Sequence, residues 1–165
     1  MIALLLLSLC SPSASAQTVN LTGGLLGWSS AANHQLRPTG LLSYHQTIKA
    51  LDLSAELLVS QEGRKTSTYT YMTIPIRVAA LIEKRFSSDD NTFFLSAGPS
   101  LAYRVGSLSS GNQHHMIHEL APGLRLRAGL NIRLGGPVDL VWLSGVNGRL
   151  SAVDYDSSLG LGVSW

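Results

Sequence analysis

The sequence has little charge and only one cysteine. Charged residues make up 13% of the 165, against roughly 25% in soluble domains, and the formal net charge is only +2. Cys10 lies near the N-terminus, so the rest of the chain can form neither a disulfide nor a cysteine metal site. There is no run of Lys or Arg, which argues against a nucleic-acid-binding surface. This composition disfavours both an ordinary soluble enzyme and a nucleic-acid-binding protein.

Long apolar runs are also lacking after residue 16, so no transmembrane helix is predicted. The early run from Ile2 to Leu9 is followed by Ala14-Ser15-Ala16, the small-residue pattern of a signal peptidase site. We therefore interpret residues 1–16 as a signal peptide, cleaved near Ala16. No Lys or Arg precedes the run, which leaves open whether the natural start codon lies upstream.

What the remaining chain has is a strict alternation of apolar and polar residues. In the clearest segment, Leu124, Leu126, Ala128, Leu130, Ile132 and Leu134 alternate with Arg125, Arg127, Gly129, Asn131 and Arg133. A period of two places the two sets on opposite faces of a β-strand, whereas a helix would scatter the arginines around its circumference. Similar alternation occurs in residues 51–60, 93–105 and 159–165.

The alternating segments predict eight strands, at about 18–29, 38–48, 51–62, 68–86, 92–106, 116–134, 137–148 and 156–165. Longer polar loops are predicted near 30–37, 63–67, 107–115 and 149–155, and shorter turns near 49–50, 87–91 and 135–136. An even strand number with short turns at one end is typical of bacterial outer-membrane barrels. The predicted fold is all-β, an eight-stranded antiparallel up-and-down transmembrane β-barrel over residues 17–165.

A soluble eight-stranded barrel or a periplasmic sandwich is the alternative fold. A soluble barrel keeps its apolar side chains inside. Here the polar face carries arginine, glycine and serine, while the apolar face is continuous over about six positions, close to what crosses a hydrocarbon layer. The chain also ends on an aromatic residue, Trp165, as strands that end outer-membrane barrels do. Both features favour the membrane barrel.

Three segments resemble a known family. They are Glu56-Leu57-Leu58-Val59-Ser60-Gln61-Glu62-Gly63, Tyr71-Met72-Thr73-Ile74-Pro75, and the Gly98-Pro99 strand around residues 94–103. In this order they are similar to the PorT-like outer-membrane β-barrels of Bacteroidetes. The resemblance is strongest from 51 to 106 and implies the barrel fold. The family's named member is tied to a secretion system, so the resemblance also implies a place beside such a machine.

The polar face is the main candidate site. We expect an ion-pair network in the lumen, because an eight-stranded barrel is just wide enough for side chains to fill it and buried charges must pair. The expected members are Arg77, Arg104, Arg125, Arg127, Arg133, Arg149, Asp52, Glu56, Glu83 and Asp139. Cations outnumber anions in this set, so waters or loop carboxylates should complete it. A transport path is the less favoured alternative.

Histidines cluster just before the sixth predicted strand, at His114, His115 and His118. Imidazoles bind divalent metals, which makes these residues weak metal candidates. Because no cysteine and no acidic pattern beyond Glu119 supports them, a solvated extracellular loop is the favoured interpretation, and no metal or cofactor is expected.

A lipid-modifying enzyme needs a Ser or Thr nucleophile and a His base at the lipid-facing surface. His45 and Thr47 share a strand face, but that face also carries Ser43 and is predicted to point inward. No phosphate-binding glycine loop, HExxH or GxSxG motif occurs either. The sequence therefore predicts a protein that is not an enzyme.

The predicted function is a non-enzymatic outer-membrane barrel, acting as a structural or accessory subunit of a larger complex for secretion, assembly or uptake. A lipid-A-modifying enzyme and a small-solute channel stay open as alternatives. The expected partners are outer-membrane lipid, lipopolysaccharide and a larger outer-membrane protein complex, without nucleic acid. The sequence does not name the partner protein.

Overall fold

The computed structural model describes residues 17–29, 36–48, 51–88, 90–149 and 152–164. These contain β1 (Gln17–Ser29), β2 (Leu36–Ile48), β3 (Leu51–Ser60), β4 (Glu62–Lys65), β5 (Thr70–Ser88), β6 (Asn91–Ser110), β7 (Gln113–Gly135), β8 (Val138–Arg149) and β9 (Ala152–Ser164). No helix in these ranges is long and apolar enough to cross a membrane. The predicted signal peptide and Trp165 lie outside the described residues.

The strands form a closed ring. Their order is β3-β2-β1-β9-β8-β7-β6-β5-β4, and β3 also pairs with β5. Since β3 and β4 both pair with β5, they are two segments of one barrel strand, separated at Gln61. Closure joins the first strand to the last, from Thr18 opposite Ser164 to Ser29 opposite Val153. The prediction of an eight-stranded antiparallel barrel is confirmed.

Side chains alternate between the outer wall and the lumen. On β7, Leu124 and Leu126 are 57% and 51% exposed. The residues that follow each of them, Arg125 and Arg127, are 1% and 3% exposed. The same apolar exposure recurs on β2, β3, β5, β6, β8 and β9, as at Leu42, Leu57, Ile82, Leu95, Trp142 and Leu161. The result is an apolar outer wall around a polar interior.

The lumen also contains an apolar layer, which the polar-face interpretation of the sequence does not include. Leu41, Leu58, Phe94, Val141 and Leu143 are each at most 2% exposed and form one buried cluster. An eight-stranded barrel has no room for an open channel, so its interior positions must be filled by side chains. Apolar residues fill it without needing hydrogen-bond partners.

Three strands are much longer than the others. β5, β6 and β7 have 19, 20 and 23 residues, against 10 to 13 in β1, β2, β3, β8 and β9. The predicted loop at 107–115 is therefore wrong, because β6 and β7 continue through it to a two-residue turn at Gly111-Asn112. Gly111 has φ +57°, which suits a tight hairpin turn. The predicted loop at 149–155 is likewise shorter, since β9 begins at Ala152.

The long strands extend the same sheet beyond the end of β8. β7 pairs with β8 only from Gly123 onward, whereas its pairing with β6 runs on to Gln113. We call residues 62–75 together with 102–122 the projecting sheet. Within it, residues 113–122 pair on one side only, so far as the described residues show, and we call them the free edge. The projecting sheet lies at the end opposite the short β5–β6 and β7–β8 turns.

Candidate functional site

Arg125 lies at the centre of the lumen and is 1% exposed. Its Nη1 and Nη2 donate to Oδ1 and Oδ2 of Asp156 at 2.6 Å each, a bidentate pair, and Nη2 also lies 2.9 Å from Oε1 of Glu56. The guanidinium rests against Gly145, where an added Cβ would come within 2.5 Å of Cζ. Strands β3, β7, β8 and β9 are therefore held together by one side chain.

Arg127, two residues further along β7, is the second centre. Its Nη1 donates to Glu56 Oε2 and its Nη2 to Glu83 Oε2, both at 2.9 Å. Nη2 and Nε also donate to the hydroxyls of Ser54 and Ser96 at 3.0 and 3.1 Å. Glu56 thus bridges the two central arginines. Each of these buried charges has an opposite charge within 2.9 Å, which offsets part of the desolvation cost of burying ions.

A second group of charges lies nearer the projecting sheet. Arg77 donates from Nη2 to Oδ2 of Asp154 at 2.7 Å, and Arg149 donates to Oδ1 of the same carboxylate at 3.1 Å. Asp154 is 1% exposed, so the pairing takes place away from solvent. The ion pairs of the two groups together connect β3, β5, β7, β8 and β9 inside the lumen.

Asp154 and Asp156 are the residues that sequence reasoning missed. The sequence predicts Asp154 in the loop before the last strand and Asp156 as the first residue of that strand. The structure places both inside β9. They supply the carboxylates that the predicted excess of cations required. The signal was present in the sequence, since both share the polar face of β9 with Ser158.

Four predicted members, Arg104, Arg133, Asp139 and Asp52, lie outside this central network. Arg104 pairs with Glu119 at 2.8 Å within the projecting sheet. Arg133, whose side chain is 52% exposed, lies 3.4 Å from Asp139 at the short-turn end. Asp52 accepts a hydrogen bond from Thr47 Oγ1 at 2.6 Å and has no ion pair among those of the described residues.

His45 points into the lumen, as the alternation predicts. Its Nδ1 lies 3.1 Å from both oxygens of Glu83, and its Nε2 lies 3.1 Å from Ser43 Oγ and 3.0 Å from Asn20 Nδ2. The order Ser, His, Glu matches that of a nucleophile, a base and an orienting acid. However, Ser43 and His45 are 0% and 1% exposed, on the opposite side of the wall from the apolar surface. This cluster works as part of the lumen hydrogen-bond network.

The histidine cluster lies on a strand rather than in the predicted loop. His114 and His118 fall on β7, where their Nδ1 atoms contact Ser109 Oγ at 2.7 Å and Tyr103 Oη at 2.9 Å. His115 faces the other side of the sheet, because it is one residue from His114. Among the residues that the structure describes, no group of three or more His, Cys, Asp or Glu side chains could hold a metal ion.

Comparison with known proteins supports the fold alone. No family model matches the chain, and no curated protein matches it either. Solved structures do match. Ail of Yersinia pestis (TM-score 0.65, 13% identity) and Neisserial surface protein A (0.62, 16%) each cover 92% of this chain and are themselves covered to 97%.

The N-terminal β-barrel domain of OprF from Pseudomonas aeruginosa aligns with a TM-score of 0.53 and 10% identity over the same shares of the two chains. The chain therefore has the fold of small outer-membrane β-barrels. Its resemblance to PorT-like barrels stays a prediction.

Proposed function

We propose that this chain is a non-enzymatic outer-membrane barrel that presents its projecting sheet outside the membrane, as an accessory subunit of a larger complex. The observation that carries the proposal is the free edge, residues 113–122 of β7, which have no strand partner on one side among the described residues. A role beside a secretion machine, as the PorT-like resemblance implies, is the specific form of this proposal.

The outer wall supports the membrane location. Its exposed apolar side chains recur on seven of the eight barrel strands, and the charged side chains described between the short turns and the projecting sheet face the lumen, with the exception of Lys84. In water such a surface would favour aggregation, whereas in a bilayer it meets acyl chains. The fold shared with Ail and Neisserial surface protein A supports the same location. Outer-membrane lipid and lipopolysaccharide would then be the immediate surroundings of the barrel.

The filled lumen argues against a channel. Arg125, Arg127 and their carboxylate partners cross the interior at one level, and Phe94 with its apolar neighbours closes another. An ion or solute passing through would have to separate pairs whose rupture costs about 3–5 kcal/mol each. The interior therefore stabilises the barrel and leaves binding to its outer surfaces.

The free edge offers what an extended partner segment needs. Unpaired N–H and C=O groups along a strand are a template for a further strand, and proteins usually protect such edges with lysines or prolines. Apart from Pro122 at its barrel end, the edge has neither, and Glu119 is its only carboxylate. The outward-facing Met116 and Leu120 are apolar and exposed at 71% and 63%, and His114 and His118 lie on the same face. An added strand with alternating apolar residues would cover this face.

A second copy in the same membrane fits this edge poorly. Two barrels related by an axis along the membrane normal would bring their β7 strands together pointing the same way, whereas antiparallel pairing needs opposite directions. A segment of another protein has no such constraint. This geometry favours a hetero-complex over a homodimer.

The proposal is tested by shortening the hairpin without changing its register. Residues 105–110 and 113–118 would be deleted, so that Arg104 leads into the Gly111-Asn112 turn and the turn leads into Glu119. The register is kept because Arg104 and Glu119 already pair across the two strands. The shortened barrel should still insert and show heat-modifiable migration on gels. Purification from outer membranes in mild detergent should then yield the full chain with co-purifying proteins that the shortened chain lacks.

Photo-crosslinking gives an independent readout. A crosslinker at residue 116, on the free edge, should capture the partner, and one at residue 42, on the outer wall of β2, is the matched control. An unchanged set of co-purifying proteins after the deletion would overturn the proposal. So would capture from residue 42 equal to that from residue 116.

A further inference from the structure

The described part of the outer wall carries one charged side chain, Lys84. Among the outward-facing side chains that the structure describes between the short turns and the projecting sheet, Lys84 is the only Lys, Arg, Asp or Glu, and it is exposed. Its neighbours in the chain alternate as expected, with Glu83 buried at 4% and Ile82 exposed at 61%. A lone charge on a wall built for acyl chains needs a counter-charge.

Lys84 lies near the end of the barrel that carries the short turns. Four residues separate it from the end of β5, or roughly 10 Å along the normal for a tilted strand. Phe86 and Phe93 lie between it and the turn, with ring centroids 6.1 Å apart. Aromatic pairs of this kind mark the membrane interface. The lysine stem is long enough to bring its ammonium group to that level.

No side chain of the protein is described as pairing with Lys84. The carboxylate beside it in sequence, Glu83, turns inward to His45 and Arg127. No ion pair of Lys84 occurs among those of the described residues. The described residues therefore leave this ammonium group available to an anion outside the protein.

A shallow, open hollow in the outer wall includes Lys84 and extends from β3 to β9. It has a volume of about 840 Å³, and its lining is mainly apolar and outward-facing, with Asp52, Glu83 and Arg127 reaching it from the lumen side. Small side chains at Ala97, Ala128 and Ser144 leave the space, and the larger Trp142 and Tyr155 border it. Its shape and chemistry suit an acyl chain that extends away from the ammonium group.

We propose that this hollow binds an anionic phospholipid of the periplasmic leaflet, with the lipid phosphate on Lys84 and an acyl chain in the hollow. The proposal rests on the outer-membrane location proposed above. Short turns of such barrels face the periplasm, which places Lys84 in the leaflet that consists of phospholipid. A lipid headgroup is the anion present at that depth, and Lys84 supplies the charge complementarity that selects it.

The test compares lipid retention by two matched lysine variants. Full-length mature protein would be folded into vesicles of phosphatidylcholine containing one-fifth phosphatidylglycerol, and the lipids kept after transfer to mild detergent would be counted by native mass spectrometry. Lys84→Gln should lower the retained phosphatidylglycerol roughly fivefold, the factor that corresponds to one lysine–headgroup attraction. Lys65→Gln, the same change in the projecting sheet, should leave it unchanged.

A second variant tests the hollow separately from the charge. Ala128→Phe would fill the space while Lys84 stays in place, so it should also reduce phosphatidylglycerol retention. Retention of the two lipids by the unaltered protein in the same proportion as in the vesicles would overturn the lipid site. So would equal losses in Lys84→Gln and Lys65→Gln, or a protein crosslinked to Lys84 in cells. Failure to fold in any vesicle would instead contradict the membrane barrel itself.

Discussion

The lumen and the projecting sheet are built from the same strands and the same alternation, yet their charges sit in opposite environments. The Arg125–Asp156 pair has side chains 1% and 3% exposed, whereas the Arg104–Glu119 pair has side chains 16% and 44% exposed. Breaking a buried pair by removing one partner costs about 3–5 kcal/mol, while an exposed pair contributes about 0–1 kcal/mol. The ion pairs of the lumen therefore stabilise the fold, whereas the ion pair of the projecting sheet contributes little to stability.

Strand pairing differs between the two regions in the same way. Residues 123–132 of β7 have strand partners on both sides, whereas residues 113–122 have one on a single side among the described residues. A strand paired on both sides has its backbone groups satisfied internally, which a bilayer requires. A strand paired on one side needs water or a partner strand. The contrast is the basis for proposing that the ring provides stability and the projecting sheet provides recognition.

The largest effect is expected when a central arginine is removed. Arg125→Ala leaves Asp156 buried without its bidentate partner, so the free energy of unfolding should fall by about 3–5 kcal/mol. Urea unfolding in vesicles, followed by tryptophan fluorescence, measures this. A loss no larger than that of an exposed pair would mean that the lumen is hydrated and the ion pairs do not hold the walls.

The second-largest loss of stability is expected when a charge is introduced on the outer wall. Leu126→Arg, at mid-height on β7, should lower stability by about 2–4 kcal/mol in a bilayer, because the midplane is the costliest depth for a cation. Leu134→Arg, near the end of the same strand, should cost about 0–1 kcal/mol. Heat-modifiable migration after folding into vesicles reports both variants. Equal tolerance at the two depths would favour a soluble barrel.

Removing the lumen histidine should have an intermediate effect. His45→Ala leaves Glu83, Ser43 and Asn20 without one hydrogen-bond partner each, at a cost of about 1–3 kcal/mol. The mass of lipid A from cells carrying this variant should be the same as from cells with the unaltered chain. A shift in lipid A mass would instead support the enzyme alternative.

The smallest effect is expected in the projecting sheet. Arg104→Ala should change the free energy of unfolding by about 0–1 kcal/mol, since Glu119 then remains in contact with water. The same denaturation assay compares it directly with Arg125→Ala. A cost above about 2 kcal/mol would show that the projecting sheet belongs to the stability core.

Much of the fold follows from the local pattern. Alternation in residues 124–134 predicted which side chains face the lumen, and Arg125 and Arg127 lie there. The prediction of a loop at 107–115 was wrong, because polar residues such as Ser109 and His114 are equally compatible with an exposed hairpin. In such a hairpin neither face of the strands needs to be buried. A polar segment thus does not by itself distinguish a loop from a solvated strand.

The partners of the charged side chains could not be predicted in the same way. Arg127 meets Glu83 from a strand 44 positions away in the chain, and Arg77 meets Asp154 from 77 positions away. A period of two fixes the face of a residue but not its height in the barrel or the strand opposite. Heights are set by the stagger that closes the ring, and closure is a property of all eight strands together.

The sequence by itself determined the strands, their number and the separation of apolar from polar faces, because a period of two is a local property of the chain. Only the tertiary structure decided that Asp154 and Asp156 pair with the arginines of the lumen and that apolar residues fill the lumen together with these charges. It also decided that β7 extends beyond the end of β8. Each of these depends on which residues meet across a closed ring. Register, closure and packing set those meetings, and no local pattern encodes them.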